Sequence, residues 1–152
     1  MIVMEKYFNV AHRFGPLLAR ILIGGMFIMS GVQKIFAFEG TVFFTESVGM
    51  PYPAVAVVLA ILFEVLGGLS ILLGWKIQYG AIALILYTAL ASYYFHSNFA
   101  DQIQMAFFIK NMAIIGGLLY MTAFGAGHFS LGKKEHMHQE SMQSTPPQSP
   151  VV

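Results

Sequence analysis

Cysteine is absent from all 152 residues. That excludes dithiol exchange, an iron–sulfur cluster and a thiolate nucleophile supplied by this chain alone. It leaves the redox compartment open, because a chain without thiols carries no record of one. Charge is also scarce. Lys and Arg number 8 and Asp and Glu 7, so charged residues make up 10% of a sequence that is 57% hydrophobic. A soluble domain carries about 25% charged residues, so this composition does not suit a water-exposed surface. The net charge of +1 gives no general attraction to nucleic acid. Phosphate loops, nucleophile elbows and paired-carboxylate sites are missing too. No intrinsic catalytic turnover is expected.

What the chain does have is long apolar runs. Leu17–Phe36, Pro53–Trp75, Ile77–Phe95 and Met105–Gly125 each approach the ~20 residues that cross a hydrocarbon core. The expected fold is therefore all-α, an integral membrane four-helix bundle over residues 17–132. The first run is longer than the apolar part of a signal peptide and lacks an obvious cleavage site, so it reads as a retained helix. Residues 1–16, MIVMEKYFNVAHRFGP, read as a short amphipathic helix at the interface, ended by Gly15-Pro16. The connection AFEGTVFFTESVGMPYP mixes Val42, Phe43 and Phe44 with Glu39 and Glu46, as a re-entrant or surface-lying turn would. Pro53 suits the first position of the second span. The short link Gly74–Gln78 enforces an antiparallel pair. Residues 133–152, polar and Pro-rich, are expected to be disordered.

If four spans alternate, Lys6, Arg13, Arg20, Lys76, Lys133 and Lys134 fall on one side and Glu39, Glu46 and Asp101 on the other. Positive charge marks the cytoplasmic side, so both termini are expected there. The same alternation puts Trp75 and Tyr79 in the inner aromatic belt and Tyr52, Tyr93 and Tyr94 in the outer one.

Against that frame the intramembrane polar residues stand out, because a charge at mid-span costs roughly 2.5–3.5 kcal/mol on insertion scales. Glu64 shares a helical face with Ala56, Ala60 and Gly68, a small-residue face suited to packing. Lys110 follows the same logic with Ala106, Ala113 and Gly117. Lys34 aligns with Gly31 and Phe27, with Ser30 four residues earlier; Thr88, Ser92 and His96 recur at steps of four. Rise per residue puts Lys110 roughly 7 Å and Glu64 roughly 16 Å below the outer boundary. Lys34 and His96 then fall near the outer mouth. The expectation is a polar cluster of Lys34, Glu64, His96, Lys110 and Asn111 that opens outward, with Glu64 at its floor and Lys110 as its ionic partner. Asn111, turned about 100° from Lys110, is expected to bond a neighbouring helix. Arg20 is expected to snorkel to the inner surface. His136 and His138 form HxH without a third ligand, so no metal site is expected. No histidine pair faces across the membrane for a haem.

The ordered set LLARILIGGMFIMSGVQKIF, GMPYP, FEVLGGLSILLGW, the late His96, FFIKNMAIIGGLLY and GAGHFSL resembles the DoxX family of small four-helix bacterial membrane proteins, over about residues 15–132. The resemblance implies a multi-pass protein of the bacterial inner membrane, an accessory subunit of a membrane redox or oxidative-stress complex. Its partners would be the lipid bilayer, membrane or peripheral redox proteins and further copies of itself. The polar cluster would bind a quinone head group or a partner. Two alternatives stand beside this: a small transporter that handles protons, and a structural module in which the Glu64–Lys110 pair only holds the helices in register.

Overall fold

The computed structural model describes residues 2–132. Five helices follow in order: α1 (Ile2–Phe36), α2 (Phe38–Ser47), α3 (Pro53–Leu73), α4 (Ile77–Phe95) and α5 (Gln102–Phe124), with no strand among the described residues. The segment expected to be a disordered tail, with His136 and His138, lies outside them.

Three of these helices contain segments long and apolar enough to cross a bilayer: Val10–Phe36, Pro53–Leu73 and Gln102–Phe124. α4 is not among the three. Its 19 residues hold four tyrosines (Tyr79, Tyr87, Tyr93 and Tyr94) together with Thr88 and Ser92, which dilute its apolar character. The outer surface is apolar in its own right. Leu22, Met29, Leu66, Leu86 and Ile109 are all more than half exposed, as side chains facing lipid tails would be.

Gly15-Pro16 does not end the first helix. α1 runs unbroken through Pro16, which costs one backbone hydrogen bond. The ring packs against the turn at Gly127, where a Cβ would stand 2.7 Å from the Pro16 Cβ. The amphipathic connection also differs from a simple turn: it is the ten-residue helix α2. Pro53 opens α3 as expected, and Gly74 closes it in the left-handed region with φ +66°. Asp101 caps α5, its carboxylate accepting from the Ile103 N–H at 2.9 Å.

α1 packs along α3, α3 on α4 and α4 on α5, while α2 lies against α3 and the end of α1. The α1–α3 crossing is set by glycine. A Cβ on Gly24 would lie 2.8 Å from the Gly68 carbonyl oxygen, and one on Gly68 would lie 2.9 Å from that of Gly24. Only hydrogen atoms at both positions let the two backbones approach this closely. Around the crossing, Phe27, Ile71, Ile77, Ala81, Leu84, Leu118 and Met121 form the buried core. α1 reaches α5 near Ile23 and Gly117. Farther along, the two helices flank a cavity instead.

Arg20 secures the closed end. It is 3% exposed, so it does not snorkel to the surface. Its Nε donates to the Ile71 carbonyl at 2.9 Å and its Nη2 to that of Leu72 at 2.6 Å. Its Nη1 donates to Ala126 at 3.1 Å and to Phe129. The last carbonyls of a helix have no partner within it. A guanidinium with five fixed donors can satisfy several of them at once, and here it ties the end of α3 to the chain leaving α5.

Candidate functional site

Glu64 sits near the middle of α3 on the face that meets α1 and α4. Its neighbour Gly31 is part of the reason it fits there: a Cβ on Gly31 would come within 3.2 Å of the Glu64 Cβ. The side chain is 4% exposed and makes an ion pair with Lys34, whose Nζ lies 2.9 Å from Oε2 and 3.0 Å from Oε1. Ser30 donates to Oε1 at 2.9 Å and in turn accepts from Lys34 Nζ at 2.8 Å. From α4, the Tyr87 hydroxyl donates to Oε1, also at 2.9 Å. Three helices thus converge on one carboxylate, and Oε1 takes every aligned hydrogen bond. Oε2 has the charge of Lys34 beside it but no donor aligned on it as a hydrogen bond.

Lys110 is not the partner of Glu64; Lys34 is. Side chains on a helix lean toward its N-terminus. α1 runs toward the end of the bundle that holds α2, so Lys34 leans back to the level of Ser30 and Glu64. α3 and α5 start at that end. Glu64 therefore leans toward Lys34, whereas Lys110 leans away from the carboxylate. The Lys110 ammonium rests over the Phe107 ring, 4.8 Å from its centroid. The packing face of α5 carries Asn111, Leu118 and Met121, so Lys110, Ala106 and Ala113 lie off it and are exposed.

Asn111 is buried and its amide donates to the Ser92 hydroxyl on α4 at 2.9 Å. Ser92 passes the chain on by donating to the Thr88 carbonyl at 2.7 Å. His96 closes α4, with Nδ1 2.6 Å from the Gln104 side-chain oxygen and its ring against Phe107. Of the five residues expected to cluster, then, only Lys34 and Glu64 touch. His96 and Asn111 bond other residues between α4 and α5, and Lys110 stands at the lip.

All five line one cavity of about 600 Å³. Its walls come from α1 (Met26, Phe27), α2 (Thr41, Phe44, Thr45), α3 (Val57, Ala60, Phe63), α4 (Leu86, Thr88, Ala91) and α5 (Ile114). The lining is mainly apolar, with the Glu64 cluster as its polar wall. α2 positions the rim: Phe44 stacks on Phe95 with centroids 5.5 Å apart, and the buried Thr45 bonds back to the Thr41 carbonyl at 2.7 Å.

Tyr87 escaped the sequence reading, although a signal was present. In an antiparallel hairpin, equal distance from the turn means equal depth. Glu64 and Tyr87 stand at nearly the same count from the Gly74–Lys76 link.

Comparison with known proteins agrees with this architecture in kind. The DoxX family model matches residues 15–97. The chain is similar to the inner membrane protein YqjF of Escherichia coli, 38% identical over 119 residues that cover 78% of this chain and 90% of that protein. It is also similar to the Escherichia coli inner membrane protein YphA, 32% identical over 84% of this chain and 94% of that one. A shorter match, 29% identical over 51% of this chain, reaches the ER-derived vesicles protein ERV29 of Saccharomyces cerevisiae and spans 27% of it. No solved structure matches the chain.

Proposed function

The chain belongs to the DoxX family, and on that premise we propose that it is a multi-pass protein of the bacterial inner membrane that holds a lipid-soluble molecule by its polar head. The molecule's tail lies along the apolar walls of the cavity and its head meets the Glu64–Lys34–Ser30–Tyr87 cluster. A quinone is the example that fits a membrane redox or oxidative-stress complex, in which this chain serves as a non-catalytic accessory subunit. α4 is also a span, the third of four, and both termini are cytoplasmic. Arg13, Arg20 and Lys76 gather at one end of the bundle, whereas Glu39, Glu46 and Asp101 belong to the other, which supports that orientation. The relatives' inner-membrane placement supports the membrane assignment itself.

One observation carries the reading. A 600 Å³ cavity falls within the roughly 300–1,000 Å³ range of ligand pockets, which are mostly apolar with a few convergent polar groups. Native mass spectrometry of the protein released from lipid discs tests it. A bound species of quinone-like mass supports the reading; uniformly ligand-free protein counts against it. The competing reading takes Glu64 as internal glue, since it draws partners from both α1 and α4. On that reading Glu64→Gln lowers stability and changes no phenotype in folded protein.

A further inference from the structure

Among the described residues, two buried side-chain polar atoms lack a hydrogen-bond partner: Glu64 Oε2 and Thr88 Oγ1. Both residues line the same cavity. Both are almost fully enclosed, at 3% and 4% exposure. They are complementary, because a carboxylate oxygen only accepts whereas a threonine hydroxyl can donate. Buried polar groups are nearly always satisfied, so two such atoms lining one cavity, Oε2 with only the misaligned ammonium of Lys34 beside it, mark a place where something else supplies the partners. The hydrogen bonds that could have closed them internally go elsewhere. Ser30 and Tyr87 both choose Oε1, and the Ser92 hydroxyl bonds the Thr88 carbonyl rather than its side chain.

We propose that the cavity selects an uncharged amphiphile whose head carries a hydroxyl, with the O–H donating to Glu64 Oε2 and an oxygen accepting from Thr88 Oγ1. This deepens the reading of the cavity as a ligand site and rests on it. An ionic head is disfavoured at this wall, since the charge of Glu64 is already matched by Lys34 at 2.9 Å. The unmatched ammonium of Lys110 belongs to the exposed lip, over Phe107. A head with acceptors only, such as a fully oxidised quinone, satisfies Thr88 and leaves Oε2 with only the misaligned ammonium of Lys34 beside it. A phenol or hydroquinone satisfies both. Thr88 is thus a ligand-binding residue whose hydroxyl serves the ligand and not the fold, while Glu64 Oε2 sets the preference for a hydroxyl.

The test uses two probes that differ in one proton donor, 4-decylphenol and its methyl ether 4-decylanisole. Each is equilibrated between discs carrying the full chain and empty discs. The expected result is tighter binding of the phenol by about tenfold or more, the size of one hydrogen bond to a buried charged group. Thr88→Val keeps the shape of the side chain and removes the donor. It should weaken both probes while leaving the melting temperature unchanged, since no intraprotein bond is lost. Equal binding of the two probes by the wild-type chain overturns the proposal and leaves the cavity reading standing. Binding of neither probe overturns both. A Thr88→Val chain that melts lower but binds as before assigns the hydroxyl to the fold and overturns its role in binding.

Discussion

Removing the Lys34 ammonium should destabilise the bundle, and removing that of Lys110 should not. With Lys34→Met, Glu64 keeps Ser30 and Tyr87 as donors to Oε1, but Oε2 loses the charge that stands 2.9 Å away. Breaking a fully buried ion pair from one side costs about 3–5 kcal/mol, because the remaining charge is stranded. Lys34 is 24% exposed, so part of its charge is already screened and a loss of about 2–3 kcal/mol is the better figure. Glu64→Gln should cost less, because Lys34 retains Ser30 and can turn outward. The double variant should recover at least about 1 kcal/mol relative to the sum of the two singles, the mark of residues in direct contact. Lys110→Met, at a position exposed and without an ion-pair partner among the described residues, should fall within about 0.5 kcal/mol of wild type. Unfolding in mild detergent, followed by circular dichroism, gives all four values. Equal losses at Lys34 and Lys110, or strict additivity of Lys34→Met with Glu64→Gln, would refute the pairing.

Three further outcomes follow from the packing. Arg20→Lys should cost about 3 kcal/mol or more in the same unfolding assay, because one ammonium cannot reach the four carbonyls that the guanidinium holds and each bond to a charged group is worth about 1.5–3 kcal/mol. Gly68→Ala should cost about 1–3 kcal/mol as its Cβ pushes against the Gly24 carbonyl, whereas Gly116→Ala, with nothing within 4 Å, should be neutral or slightly stabilising. Asn111→Ala removes the bond to Ser92 and should loosen α4 from α5 by about 0.6–1.7 kcal/mol, the range for hydrogen bonds between membrane helices.

The contrast between Lys34 and Lys110 shows how far a sequence of this kind can be read. The long apolar runs, the start of α3 at Pro53, the small-residue face around Glu64 and the bonding of Asn111 to a neighbouring helix were all legible, because each depends on local periodicity or composition. The identity of Glu64's partner was not. Depth counted along the axis treats a side chain as level with its own Cα, yet Lys34 and Lys110 lean in opposite directions in space because their helices run in opposite directions. Four carbons of stem turn that lean into several ångströms. Arg20 misled for a different reason. A lone arginine near a helix end ordinarily reaches water, and only the folded chain shows that the carbonyls of Ile71, Leu72, Ala126 and Phe129 converge on it. Pro16 did not end the helix, and the turn its ring packs against, at Gly127, lies more than a hundred positions away.

The most direct test of the cavity's role is retention of added decylubiquinol, kept reduced, by purified protein in lipid discs, wild type beside Ala60→Phe. Ala60 lines the cavity and is not part of the Glu64 hydrogen-bond cluster, so a phenyl ring there fills the space without removing a polar group. The account predicts saturable retention by the wild-type chain above empty discs, and its loss in Ala60→Phe at unchanged helical content. Retention that matches empty discs, or that survives filling the cavity, would contradict it.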